Sequence, residues 1–195
     1  MTTRSPSPSD RGEAPAPGEI RRVRTEAECL HDRAAVETAL DRMAMEITRQ
    51  LAEADPLVIC VLHGGMPAMG GLLSRLDFPL QVDYLHATRY RGATRGGELH
   101  WRVRPEHSLA GRVVLVVDDI LDEGLTLAAL KDYCRVAGAA AVHAAVLVRK
   151  ELPNPPAAEA DFIGLTVGDR YVFGYGMDYK DYLRNAPGIF AVKEL

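Results

Sequence analysis

The sequence predicts an α/β fold, a mainly parallel twisted sheet with helices on both faces. Two short unbroken apolar runs point to it, "LVICVL" after Pro56 and "VVLVV" after Arg112. Strands buried on both faces lose the polar–apolar alternation of half-exposed strands. Segments of helical period separate these runs, and strand–helix–strand alternation is how a parallel sheet is assembled. The 195 residues suffice for one domain with a sizeable core.

Taken in order, residues 1–18 ("MTTRSPSPSDRGEAPAPG") are rich in Pro, Ser, Gly and Ala and almost free of large apolar side chains. Such a segment cannot offset the entropy of ordering, so a disordered tail is expected over 1–18 and a single domain over 19–195. In "TEAE", Thr25 and Glu28 have capping-box spacing for a short helix. Val36, Leu40, Met43, Ile47 and Leu51 then fall on one face of a longer helix. "HGGMPAMGGLLSRL" reads as loop and helix; "LQVDYLHATRY" and "ELHWRVR" read as strands, Leu99, Trp101 and Val103 alternating in the second. Between them "RGATRGG" has the composition of a flexible hairpin tip or lid. "LTLAALKDYCRVAG" is a helix lined by Leu127, Leu130, Cys134 and Ala137, which Gly138 ends. "AAVHAAVLVRK" and "DFIGLTV" are strands joined by an "NPP" loop, and "RYVFGYGMDYKDYLRNAPGIFAV" is aromatic and irregular.

A net charge of -4 argues against a constitutive nucleic-acid binder. Cys29, Cys60 and Cys134 are an odd number without a CxxC pair, as expected of reduced thiols. No apolar run approaches the roughly 18 residues of a membrane span, and the polar N-terminus lacks a signal-peptide core. A cytoplasmic protein without membrane attachment is expected.

The chemistry gathers in "VVLVVDDILDEGLTL", Val113 to Leu127. An apolar strand runs into Asp118, Asp119, Asp122 and Glu123, with Gly124 and Thr126 behind them. Ligands of open parallel sheets bind at the carboxyl ends of strands, and a helix start there offers N–H groups to a phosphate. Carboxylates beside such a cradle suit a ligand with both ribose hydroxyls and a phosphate. By pattern alone, a solvated turn with a helix cap and a Mg²⁺-dependent phosphoryl-transfer site remain open.

This stretch resembles the phosphoribosyl-pyrophosphate motif of the type I phosphoribosyltransferases: an apolar strand, two acids, two apolar residues, then Asp-x-Gly-x-Thr. "VLHGGMPAMGGLL", the "TRY" before a flexible loop, "LVRK" and "DRYVFGYGMDY…R" follow the order and spacing of its hypoxanthine-guanine branch over residues 20–195. The resemblance implies the type I fold, with a small hood built from the terminal segments. It also implies transfer of ribose 5-phosphate from phosphoribosyl pyrophosphate to N9 of a 6-oxopurine with Mg²⁺ present, by a homodimer or homotetramer.

By the same resemblance, Asp118 and Asp119 hold the ribose hydroxyls and Asp122 is the general acid/base beside N7. Glu123, Gly124, Leu125 and Thr126 form the 5′-phosphate cradle. Tyr171 stacks on the purine, the Val172 backbone reads its 2- and 6-position edge, and Asp178 meets the exocyclic edge. Asp178, Asp118 and Asp119 are the metal-associated acids. Lys150 is the donor to O6, with Arg149 as the alternative one residue away. Gly64 and Gly65 hold pyrophosphate through backbone amides, where relatives often have a cis peptide, and Arg184 meets it from the C-terminal side. Arg89 and Tyr90 belong to the closing loop, although relatives commonly have Ser-Tyr there. His63 stands where some relatives have lysine, and both a structural and a pyrophosphate or subunit contact remain open for it.

Overall fold

The computed structural model describes residues 15–89 and 99–193; residues 1–14 and the loop that includes Tyr90 lie outside them. The elements are, in order, α1 (Pro17–Glu26), β1 (Glu28–Asp32), α2 (Arg33–Leu51), β2 (Leu57–Val61), α3 (Met66–Leu73), β3 (Gln81–Arg89), β4 (Leu99–Val103) and β5 (Val113–Leu121). They continue with α4 (Leu125–Val136), β6 (Ala141–Lys150), β7 (Phe162–Val167), β8 (Val172–Phe173) and β9 (Gly188–Ala191).

Six strands form the main sheet in the order β4-β3-β2-β5-β6-β7. All neighbours in it are parallel except β3 and β4. All five residues of β2 are buried, as are Val114 to Val117 in β5. Val36, Leu40, Met43, Ile47 and Leu51 of α2 are indeed buried together, and Asp32 caps the helix by accepting from the Ala35 N–H at 2.9 Å. That stripe packs with Ala68, Met69 and Leu72 of α3 on one face of the sheet. Leu130 and Cys134 of α4 close the other face against Ile59, Leu85 and Val116. After β2 the chain builds β3 on one side and then returns to add β5 on the other. The carboxyl ends of β2 and β5 therefore meet where the strand order reverses, the place where open sheets leave a ligand crevice.

A second, three-stranded sheet, β1-β9-β8, is antiparallel and joins the two terminal segments. Val23 of α1 packs on Phe173, Ala186 and Phe190 beneath it. This is the hood. Here the structure corrects several local readings. Thr25 does not start a helix: its hydroxyl donates to the Arg21 carbonyl at 2.9 Å inside α1, and Glu28 begins a strand. That strand exists because β9 pairs with it, a partner far away in sequence. Helix α1 includes Pro17 and Gly18, the last two residues of the expected tail; proline at the first helical position has no N–H to lose. The aromatic C-terminal stretch contains β8 and β9. Ala137 is exposed, since α4 has ended and Gly138, at φ +87°, carries the chain away. The Ala139 N–H reaches back to the Cys134 carbonyl at 3.0 Å.

Among the described residues, Asp83 of β3 is the charged side chain that is buried, 5% exposed. Its carboxylate accepts from the Tyr84 N–H at 2.7 Å, the His107 N–H at 2.9 Å and the His107 ring at 2.9 Å. Burial alone would raise its pKa, but these donors outweigh burial and hold it below the usual carboxylate value. A carboxylate depressed on folding adds stability above its unfolded pKa of about 4, and that stability is lost as pH falls through the folded value. Asp83→Asn should therefore be less stable than wild type at neutral pH, by roughly 1–3 kcal/mol. Its stability should also fall less steeply than wild type below about pH 4. Urea melts at several pH values check this; parallel pH profiles for the two proteins would contradict it.

Candidate active site

Strand β5 outruns its neighbour β2. The β2–β5 register ends at Cys60 opposite Val117, whereas the β5–β6 register continues to Leu121 opposite Arg149. The strand thus extends past the apolar run and carries Asp118 and Asp119 within it, beyond its last pair with β2. Facing them, the chain leaves β2 through a cis Leu62–His63 peptide and turns at Gly64 and Gly65, where the Gly65 N–H donates to Val61 O at 2.8 Å. A Cβ on Gly64 would fall on the Asp119 carboxylate, and one on Gly65 would meet the Val117 and Val61 carbonyls. Glycine alone lets the turn lie against the acids.

Asp118 Oδ1 accepts from the Asp119 N–H at 2.9 Å, and Asp119 Oδ1 from the Ile120 N–H at 2.8 Å. Desolvation, joined by repulsion from Asp119, raises the Asp118 pKa well above the carboxylate range. Burial also raises that of Asp119. The Arg184 guanidinium offsets part of both effects. Such a floor favours a cationic or hydroxyl-bearing ligand over solvent.

Next along the chain, Gly124 caps α4 at φ +74°. A side chain there would collide with Pro156 and the Ala158 backbone, so both backbone angle and space demand glycine. The first N–H groups of α4, at Leu125, Thr126 and Leu127, have no partner within the helix, the arrangement expected of an anion cradle. Asp122 and Glu123 stand exposed before it.

Lys150 ends β6, and its Nζ lies 3.0 Å from Asp122 Oδ2 and 3.6 Å from Asp169 Oδ1. Arg149 turns to Glu159, 3.3 Å away. The lysine, not the arginine, is therefore the cation beside Asp122. A cavity of about 600 Å³ joins Lys150 and Asp122 to Glu123, Leu125, Leu152 and Asn154. Asp169 and the loop of residues 152–157 are site elements that sequence reasoning missed. The loop read as a plain "NPP" connection, and only its contact with the cradle, where the Ala157 N–H donates to Glu123 O at 2.8 Å, gives it a place here.

The hood closes the other side. Gly176 is at φ +109°, and a Cβ there would strike the Gly64 carbonyl, so hood and glycine turn touch through backbone. Arg184 donates to Gly176 O at 2.8 Å and pairs with Asp178 at 2.7 Å. Tyr171 is 54% exposed, its ring edge-on to Tyr179 with centroids 5.6 Å apart. The Val192 N–H donates to Tyr171 O at 2.8 Å, so Val172, opposite Ala191, sits at a non-hydrogen-bonded position. Its own N–H and C=O point away from β9 along an open edge. Two groups result: Asp122, Glu123, Leu125 and Lys150 share a cavity, while Asp118, Asp119, Gly64, Gly65, Asp178 and Arg184 surround the hood contact. Arg89 is the last residue of β3, and Tyr90 lies outside the described residues.

The family model described as phosphoribosyl transferase domain matches residues 26–180. The chain belongs to the phosphoribosyltransferase family. Among relatives of this phosphoribosyltransferase, the hypoxanthine-guanine phosphoribosyltransferase of Bacillus subtilis (strain 168) is 32% identical over 159 residues, 81% of this chain and 88% of its own. The enzyme of the same name from Streptococcus pneumoniae (strain R6) is 32% identical over 157 residues, 80% of this chain and 87% of its own. A solved hypoxanthine-guanine-xanthine phosphoribosyltransferase superposes with a TM-score of 0.77 at 30% identity, covering 86% of this chain and 97% of its own. A hypoxanthine-guanine phosphoribosyltransferase from Bacillus anthracis gives 0.80 at 26% identity, covering 85% and 98%. The family match ends inside the hood. Arg184 and β9, which complete the hood of this phosphoribosyltransferase, follow it.

Proposed function

We propose that the chain is a purine-salvage enzyme that moves the 5-phosphoribosyl group of phosphoribosyl pyrophosphate to N9 of hypoxanthine or guanine, giving IMP or GMP and pyrophosphate. The observation that carries the reading is the Lys150–Asp122 pair at 3.0 Å. N7 and O6 of a 6-oxopurine lie side by side on one edge. An ammonium beside a carboxylate offers a donor to O6 and a proton acceptor to N7. Adenine presents an amino group where O6 would be, and two donors would then face each other.

In this reading Tyr171 stacks on the base, and the free edge of Val172 reads its 2- and 6-positions, with Asp178 at the exocyclic edge. Glu123, Gly124, Leu125 and Thr126 hold the 5′-phosphate. Gly64, Gly65 and Arg184 receive the pyrophosphate, and Arg89, in the structure the end of β3 and not part of a loop, leads into the segment of Tyr90, to which the resemblance assigns the exclusion of water. As the bond from C1′ to pyrophosphate lengthens, the ribose gains positive charge. Asp118 and Asp119, held at its hydroxyls in a desolvated floor, stabilise that charge. N9 bonds to C1′, pyrophosphate leaves with the electron pair, and Asp122 takes the proton released at N7.

The donor set fits Mg²⁺. No cluster of three or more acidic, histidine or cysteine side chains forms a ready metal cage among the described residues. Mg²⁺ characteristically uses one or two carboxylates and completes its shell with substrate oxygens and water. Asp118, Asp119 and Asp178 are the residues that would face it, and a bound Mg²⁺ would neutralise charge on the departing pyrophosphate. We read the enzyme as a cytoplasmic homodimer or homotetramer acting on phosphoribosyl pyrophosphate and a 6-oxopurine base, not on nucleic acid or at a membrane. The outward-facing Val82 and Tyr84 offer apolar surface for assembly; among the described residues no helix is long and apolar enough to cross a membrane.

Following pyrophosphate and inorganic phosphate release from phosphoribosyl pyrophosphate, with and without hypoxanthine, tests the reaction class. Base-dependent pyrophosphate release is expected. Phosphate release without base would make the acidic cluster a phosphohydrolase site instead.

A further inference from the structure

The turn after β2 carries a feature that the reaction above does not use. His63 is exposed and immediately precedes Gly64, which rests against Asp119, so it borders the cleft. Its ring meets that of His86, centroids 4.6 Å apart and planes inclined at 65°. The contact follows from register: Val61 lies opposite Leu85 and the Leu62 N–H donates to Leu85 O at 2.8 Å, which brings His63, just past the end of β2, beside His86 of β3.

Other charges surround the pair. Arg102 comes from β4, which pairs with His86 through Val103. Arg184 comes from the hood, and Asp118 and Asp119 lie across Gly64. Arg104 is engaged elsewhere, its guanidinium stacked on Trp101. In the ligand-free protein burial first, then His63, Arg102 and Arg184, push the His86 pKa below the ordinary histidine value. Two imidazoles in contact at the rim of the cleft, with arginines around them, form a site that an anion can engage through both rings.

Resting on the phosphoribosyltransferase reading, we propose that His63 and His86 bind the pyrophosphate end of the substrate and take up a proton from solvent as it enters. A polyanion reverses the sign of the local field and converts mutual repulsion of the imidazoles into shared attraction. Affinity for pyrophosphate then gains a component present at low pH and absent at high pH. For His86 the window opens at its depressed value in the free protein and extends upward in the complex. Product release is correspondingly easier on the alkaline side.

The test is calorimetric titration of the full chain with sodium pyrophosphate, and separately with phosphoribosyl pyrophosphate, between pH 5.5 and 8.5, in two buffers of different ionisation enthalpy. Pyrophosphate itself titrates over this range, so wild type is compared at each pH with His63→Gln, His86→Gln and the double variant. Wild type should take up more protons than the double variant, and its affinity advantage should be about tenfold at the acid end and vanish at the alkaline end. Because His86 is partly buried and its replacement could perturb β3, histidine-selective NMR of wild type gives an independent reading: both imidazoles should titrate at higher pH when pyrophosphate is present. Equal proton uptake in all variants, or imidazole titrations unmoved by pyrophosphate, would overturn the proposal and leave the phosphoribosyltransferase reading intact. Failure of both ligands to bind at any pH would overturn both.

Discussion

Asp122→Asn should lower turnover by about 10²–10⁴-fold, the usual worth of a positioned general acid or base, with little change in affinity for phosphoribosyl pyrophosphate. Asparagine keeps the volume and can still accept from Lys150, but it cannot exchange a proton with N7. The site around it has a reason to survive the change. Lys150 retains Asp169, 3.6 Å away, so no lone charge is left in the cleft, and Asp122 is exposed, so packing is not at stake. Steady-state kinetics should place the loss in kcat and remove one limb of the pH–rate profile. Turnover equal to wild type would refute the acid/base role.

The second large effect is expected at Lys150. Lys150→Met preserves length and apolar stem but removes the donor to O6. Use of hypoxanthine and guanine should fall about 10- to 150-fold in kcat/KM, the worth of a hydrogen bond to a charged group. Discrimination against adenine should shrink at the same time, because the repulsive ammonium is gone. Arg149→Met is the paired control: its guanidinium serves Glu159, and kinetics near wild type are expected. If the arginine variant loses 6-oxopurine use and the lysine variant keeps it, the roles of the two residues are exchanged.

The difference between these neighbours illustrates what could be read in advance. Strand alternation assigns Arg149 and Lys150 to opposite faces but does not say which face is the site; that depends on where β5 ends relative to β6. The parallel sheet was legible because β2 and the first half of β5 are apolar throughout, a pattern that burial on both faces imposes. The acids of Asp118 to Glu123 stood out through their mutual repulsion, but pattern alone also allowed a solvated turn, and their separate roles came only from the resemblance. The hood was legible only through resemblance. β1 and β9 are short, weakly patterned strands that exist because they pair with each other across the length of the chain, and local spacing around Thr25 pointed to a helix instead. The 152–157 loop carried no signal of its own, and Asp169, although it opens the "DRYVFGYGMDY" stretch, was given no role; their place in the site comes from what Lys150 and Glu123 touch. His86 was equally silent, as its role depends on the register between β2 and β3.

Nucleotide formation from phosphoribosyl pyrophosphate and Mg²⁺ with hypoxanthine, guanine, xanthine and adenine in parallel is the most direct measurement. The Lys150–Asp122 edge predicts conversion of 6-oxopurines, hypoxanthine and guanine among them, and none of adenine. Conversion of adenine at a comparable rate, or of no base although phosphoribosyl pyrophosphate binds, would contradict it.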